Sequence, residues 1–239
     1  KQLFTKEQKI NFFKQMGFTE IIIQKFSPSF SQLSCDDFYH TGLRKTLNAQ
    51  AIVVGENFLF GHNRRGNSTW LSKNTQQDTI QLHLVPKQRI QEKSIRSTLI
   101  RKLINNEGQL ILANKMLGRP FMLEGSIATG QQQGRNLGFP TINLSNIKQT
   151  IPKNGVYYGY TWIQESLREQ APFLTDLKNK HCYPSVMNIG YKPTLEKTKN
   201  KLHIESHMID HKLPFNSLYE KKACFYFVNR IRDEVSFPS

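Results

Sequence analysis

Apolar positions follow two regimes along the chain, and the change comes at Leu117-Gly118-Arg119-Pro120. Before it, helical and strand patterns alternate. Thr5-Lys6-Glu7-Gln8 has the form of a capping box, in which the Thr5 hydroxyl accepts a backbone N–H and Gln8 reaches back. Ile10, Phe13 and Met16 then recur at helical spacing until Gly17. Glu20 to Ile23 reads as a buried strand closed off by Ser27-Pro28. Ser34 with Asp37 predicts the start of a second helix carrying Phe38, Leu43 and Leu47, and Ala51-Ile52-Val53-Val54 predicts a short strand ending at Gly55. Two such alternations predict a parallel sheet covered by helices. Ser97 to Ile104 and Gln109 to Leu117 are helical in pattern, split by Asn105-Asn106-Glu107-Gly108.

Beyond residue 118 short alternating runs take over: Phe121 to Ile127, Gly155 to Trp162, Pro184 to Ile189, Leu202 to Asp210 and Ala223 to Val228. Turn residues separate them, among them Pro152-Lys153-Asn154-Gly155 and Tyr191-Lys192-Pro193-Thr194. This is the pattern of an antiparallel all-β domain of small-barrel type, so the chain divides into residues 1–117, α/β, and 118–239, all-β. The polar piece from Gln164 to His181 reads as a loop or hairpin tip.

Composition narrows the classes. The chain has 239 residues, 38% of them hydrophobic, which is enough for a packed core and too much for a disordered chain. Its 33 Lys and Arg against 18 Asp and Glu give a formal charge of +15. That charge favours polyanionic partners, but it is dispersed: Arg64-Arg65 and the interval Lys93 to Lys102 are the densest patches, and a solvated basic face or a generally basic proteome accounts for them better than nucleic-acid binding. Cys35, Cys182 and Cys224 are far apart and odd in number, so neither a disulfide framework nor a zinc cluster is expected, and a cytoplasmic setting fits. No apolar run is long enough to span a bilayer. The first residue is Lys1 and the chain closes after Phe237-Pro238-Ser239, as expected of a piece of a longer protein.

The segment from Gly130 to Leu144 carries the most chemistry. Gly130, Gly134 and Gly138, spaced by four, let backbone N–H groups approach an anion, and Arg135 adds a fixed cationic fork; an ordinary inter-strand turn would use the same glycines. In the extended segment Pro140-Thr141-Ile142-Asn143, Thr141 and Asn143 face the same way. Their hydroxyl and amide oxygens suit a Mg²⁺ that also holds nucleotide phosphates, and equally suit a polar turn. In Leu202 to Asp210, Ile204 and Met208 mark the core side, so Glu205 and His207 look outward. Glu205 is placed to accept a proton from a substrate alcohol, and His207 either orients it or fills the strand. Arg230 and Arg232 either pair locally or face a ligand.

On these residues the second half resembles riboflavin kinase. The marks are Gly134 to Asn143, Gly155-Val156-Tyr157-Tyr158-Gly159, Val186 to Gly190 continuing to Pro193-Thr194, Glu205-Ser206-His207, Leu218-Tyr219 and Arg232-Asp233-Glu234 with Phe237. The resemblance implies a six-stranded β-barrel moving the γ-phosphoryl of ATP to the 5′-hydroxyl of riboflavin, giving FMN. It implies Thr141, Asn143 and Pro140 at Mg-nucleotide, the glycine loop over the phosphates, Glu205 as base and Arg232 on the flavin side. One departure is Glu220, where the family usually has Gly.

The first half resembles the FMN adenylyltransferase domain of bifunctional bacterial FAD synthetases, a Rossmann-like nucleotidyltransferase. The evidence is Val53 to Gly61 continuing to Arg64-Arg65-Gly66-Asn67, and Ser97-Thr98-Leu99-Ile100-Arg101 opening a helix. Asn57 just past a strand end is placed as a ligand contact, beside Gly55 and Arg64. Ser97 and Thr98 either bind phosphate oxygens with Arg101 or simply cap the helix. Arg96 stands where the family has the first Ser of Ser-Ser-Thr. The family's upstream His-x-Gly-His segment, the first strand and a C-terminal helix are not in this chain, so the resemblance implies a partial nucleotidyltransferase domain, with FMN converted to FAD in the complete parent. The expected partners are riboflavin, FMN, ATP and Mg²⁺, with FAD as product, and neither nucleic acid nor membrane. The alternatives are a flavin- or nucleotide-binding module without turnover and a basic nucleic-acid-binding protein.

Overall fold

The computed structural model describes residues 1–129, 139–166, 169–172, 182–193, 200–210 and 215–235. The chain forms two compact units, one of Lys1–Thr19 with everything from Arg96 onward, the other of Glu20–Ile95.

Helix α1 (Lys6–Gln15) begins as its sequence dictates: the Gln8 amide N–H donates to Thr5 Oγ1 at 3.1 Å and the Thr5 N–H to Gln8 Oε1 at 3.0 Å. In the second unit, α2 (Pro28–Ser31) is a single turn, and the helix expected from Ser34 is a π-helix over Asp37–Thr46. Strand β1 (Ala51–Gly55), helix α3 (Ser68–Gln77) and strand β2 (Gln81–Val85) form a parallel crossover in which Ile52 pairs with Leu82 and Val54 with Leu84. Tyr39, Ile52, Phe60 and Leu71 make its core, ringed by Phe38, Phe58 and Trp70. A short hairpin, β3 (Arg89–Ile90) and β4 (Lys93–Ser94), completes the unit. The strand expected at Glu20 to Ile23 does not form. These residues are irregular, with Ile22 60% and Ile23 52% exposed, because an apolar run becomes a strand only where a neighbouring edge takes up its hydrogen bonds.

Helix α4 (Ser97–Lys102) runs into a π-turn over Leu103–Glu107, and α5 (Leu110–Leu117) follows after the left-handed Gly108. Then come β5 (Phe121–Ala128), β6 (Ile142–Ser145), β7 (Gly155–Ile163), β8 (Cys182–Pro193), β9 (Asn200–Met208) and β10 (Lys222–Arg232), closing as an antiparallel barrel in the order β10-β5-β6-β9-β8-β7. Alternation decides the faces. Phe121, Leu123, Ile127, Ile142, Tyr157, Met187, Ile189, Ile204, Phe225 and Phe227 are buried inside. Thr161 and Ser206, two of the polar residues facing inward, bond to each other at 2.7 Å. Residues 164–166 and 169–172 are irregular, as the loop reading expects; the rest of that stretch lies outside the described residues.

Gln149 ties the first residues to the barrel. It is fully buried, accepts from the Glu124 N–H at 2.9 Å and Gln8 Nε2 at 3.3 Å, and donates to the Leu3 and Met122 carbonyls at 3.1 and 2.7 Å. The Arg119 guanidinium lies 4.2 Å from the Phe4 ring centre and 5.0 Å from that of Phe12, and burial lowers its pKa to about 10.

Candidate functional site

The barrel ladder assembles a polar row on the outer surface. Asn143 on β6 pairs with Glu205 on β9, Glu205 with Asn188 on β8, Asn188 with Val156 on β7, and Val156 with Arg232 on β10. Neighbours within such a ladder lie about 5 Å apart, close enough for one ligand to reach adjacent members. Glu205 and His203, outward-facing two residues apart on β9, are each 17% exposed in their side chains, and His203 Nδ1 stands 4.0 Å from Glu205 Oε1. On the far side Asn188 Nδ2 donates to Glu234 Oε1 at 3.4 Å. Glu234 in turn lies over Gly190, where any Cβ would collide with its carboxylate. Asn188 and Glu234 carried no site role in the sequence reading beyond marking the resemblance; counting register outward from Glu205 is the signal that finds the first of them.

Thr141 precedes β6 on the same side as Asn143, one position beyond the last ladder pair, and Pro140 comes immediately before it. The structure therefore brings Pro140, Thr141, Asn143 and Glu205 together. Gly130, Gly134, Arg135 and Gly138 lie outside the described residues.

Spacing alone left Arg230 and Arg232 undecided, and β10 separates them by a register shift. Arg230 pairs with the inward-facing Tyr157 and its side chain is 14% exposed. Its guanidinium donates to the Asn154 carbonyl and to Asp233. Tyr157, whose hydroxyl donates to the Lys153 carbonyl, is pushed up to about 12 by burial. The Arg230 guanidinium holds the Asp233 carboxyl below the usual range. Arg230 is thus a local structural pair. Arg232 stays exposed in the outer row, three strands along the ladder from Glu205.

The residues singled out in the first half fall in different units. Gly55 ends β1 with Asn57 exposed just beyond it, Asn57 Oδ1 lying 3.3 Å from where a Gly55 Cβ would be. Arg64 is exposed with a left-handed backbone, φ 57°. In the barrel-bearing unit Arg96, not Ser97 or Thr98, is the N-cap of α4, and its side chain makes no capping bond. That removes the simple capping role for Ser97 and Thr98. Thr98 Oγ1 instead accepts from Arg101 Nη2 at 3.4 Å. Arg101 lines a cavity of about 730 Å³ with Lys102, Asn106, Lys153 and Tyr191. The Asn105 side chain fixes one wall by donating to the Ile151 carbonyl at 2.9 Å.

Glu220, the departure noted above, has φ 67° and its N–H donates to the Ile127 carbonyl at 2.9 Å. The turn that glycine makes without strain is kept here by a residue with a side chain.

Comparison with known proteins follows the same division. The family model described as riboflavin kinase matches residues 117–239, and that described as FAD synthetase matches residues 1–99. A bifunctional riboflavin kinase/FMN adenylyltransferase of Buchnera aphidicola subsp. Schizaphis graminum is 34% identical over 100% of this chain and 71% of its own length. The protein of that name from Bacillus subtilis is 32% identical, covering 97% of this chain and 67% of its own. A crystal structure described as a macrolide-efflux protein from Streptococcus pneumoniae superposes with a TM-score of 0.80 at 25% identity, covering 99% of this chain and 70% of that one. No helix among the described residues is long and apolar enough to cross a membrane.

Proposed function

The chain belongs to the riboflavin kinase/FAD synthetase family, and we propose that Glu205 is the general base of its kinase step, with Thr141 and Asn143 at magnesium and the nucleotide. The reactions of the family are phosphorylation of riboflavin to FMN and adenylylation of FMN to FAD, and models of both domains match, over residues 117–239 and 1–99. The observation that carries the residue assignment is the pairing of Asn143 with Glu205 on adjacent strands. It sets a hard-oxygen ligand beside a carboxylate with partial solvent access.

In this reading the Glu205 carboxylate takes the proton of the ribityl 5′-hydroxyl as that oxygen bonds to the γ-phosphorus of ATP and the bond to ADP breaks. Asn188 continues the polar surface along which the ribityl chain lies, and Arg232 meets the flavin. Thr141 Oγ1 and Asn143 Oδ1 are the oxygen donors a Mg²⁺ shared with substrate phosphates requires, and both residues are only partly buried. That ion, when bound, neutralises the phosphate charge. The loop with Gly130, Gly134, Arg135 and Gly138 is assigned to the phosphates. For adenylyl transfer the assigned nucleotide contacts are Gly55, Asn57, Arg64, Ser97, Thr98 and Arg101, and the basic cavity beside Arg101 supports the last of these. The net charge of +15 is assigned to phosphate-bearing substrates rather than nucleic acid. Three buried cysteines, far apart along the chain and odd in number, support a cytoplasmic setting.

The test is incubation of the chain with riboflavin, ATP and Mg²⁺, with flavins resolved by chromatography. FMN should form, and Glu205→Ala should lower its rate by about 100-fold or more while ADP and riboflavin still bind. Equal rates from parent and variant would remove Glu205 as the base. Binding without any FMN would favour a module without turnover.

A further inference from the structure

The segment that carries Thr141 and Asn143 is held to the base-bearing strand by very little backbone. β6 meets β9 in two ladder pairs, Ile142 with Ser206 and Asn143 with Glu205, whereas β9 is joined to β8 along its whole length. The ladder ends at Ile142, and Pro140 two residues earlier has no N–H with which to extend it, so Thr141 sits beyond the last ladder pair. A side chain supplies the missing one. His207 Nδ1 stands 2.9 Å from the Pro140 carbonyl oxygen, and the Phe139 ring meets the imidazole edge-on with centroids 5.5 Å apart. A carbonyl only accepts, so Nδ1 carries the proton and donates.

We propose that His207 is a positioning residue for the nucleotide: its bond to Pro140 clamps the entry of β6 and so holds the Thr141 hydroxyl beside Asn143. Glu205 and His207 lie two residues apart on the same face of β9, so a single strand carries the base and, through His207, sets the distance to the nucleotide ligands. The imidazole acts through Pro140 and touches neither substrate. This inference rests on the assignment of Thr141 and Asn143 to Mg-nucleotide.

The experiment titrates the whole chain and two variants, His207→Leu and His207→Asn, with Mg·ADP by calorimetry and with riboflavin by fluorescence. Leucine keeps the bulk without a donor, and asparagine places an amide N–H near the position of Nδ1. Loss of one such bond should weaken Mg·ADP binding roughly five- to tenfold in His207→Leu, with riboflavin affinity within about twofold, and His207→Asn should recover most of the loss. Equal weakening in both variants, or parallel loss of nucleotide and flavin affinity, would overturn the clamp, since a purely structural role predicts both. If wild-type chain bound no Mg·ADP the underlying assignment would fall. Normal wild-type binding with His207→Leu unchanged would remove the clamp alone.

Discussion

Asn143 and Glu205 stand directly opposite each other on two antiparallel strands, although 62 positions separate them in the sequence. In the proposed assignment that pairing sets the reach from nucleotide ligand to base by ladder geometry, independently of any loop. Asn143→Ala removes an oxygen donor and leaves the ladder bonds in place, because the pairing is backbone. The KM for Mg·ATP should rise roughly tenfold, with more Mg²⁺ needed for half-maximal FMN formation and the KM for riboflavin little changed. Steady-state rates at several Mg²⁺ concentrations check this; an equal rise in both KM values would argue against it.

Glu220 holds a left-handed backbone that glycine adopts freely. Glu220→Gly should raise stability by about 1 kcal/mol, as relief of the side-chain strain exceeds the extra freedom of the unfolded glycine. Urea unfolding measures it, and a lower midpoint would show that the Glu220 side chain contributes more than its backbone costs.

Arg96 occupies the N-cap of α4 without a capping bond. A serine there has a hydroxyl that accepts from the first turn, so Arg96→Ser should stabilise the chain by about 1 kcal/mol. The same titration reads it.

Gln149 satisfies four hydrogen-bonding partners at zero exposure. Gln149→Leu has similar bulk and leaves the Glu124 N–H and the Leu3 and Met122 carbonyls without that partner, so it should cost about 3 kcal/mol. Thermal unfolding should show a clear drop in midpoint. A loss below about 0.5 kcal/mol would mean that water replaces the amide.

Cys224 is fully buried and its thiol is pushed well above 9.0 by burial, with Glu124 and Cys182 adding to the effect. Native chain should therefore react far more slowly with a thiol reagent than chain in denaturant, where all three cysteines become available. The folded thiol cannot ionise where the unfolded one does. Its contribution to stability is thus full below 9.0 and falls as pH rises above it, which unfolding titrations from pH 7 to 10 would detect.

Much of this architecture was legible in the residues themselves. Alternation in Phe121 to Ile127 or Leu202 to Asp210 marks inward and outward sides because a strand has a period of two, and Thr5 with Gln8 caps α1 because the box closes within four residues. These are short-range consequences of backbone geometry, and the outward placement of Glu205 is one of them. Others depended on which edge met which. Glu20 to Ile23 has the composition of a strand and no ladder to join. Arg230 and Arg232 share a face by spacing, yet a register shift in β10 gives one to a structural pair and leaves the other in the outer row. Asn188 entered that row, and His207 turned to the Pro140 carbonyl, only because β9 lies between β6 and β8. The sequence by itself determined which side chains each strand presents. Strand order and register decided which of them meet, because those are properties of contacts between segments far apart in the chain.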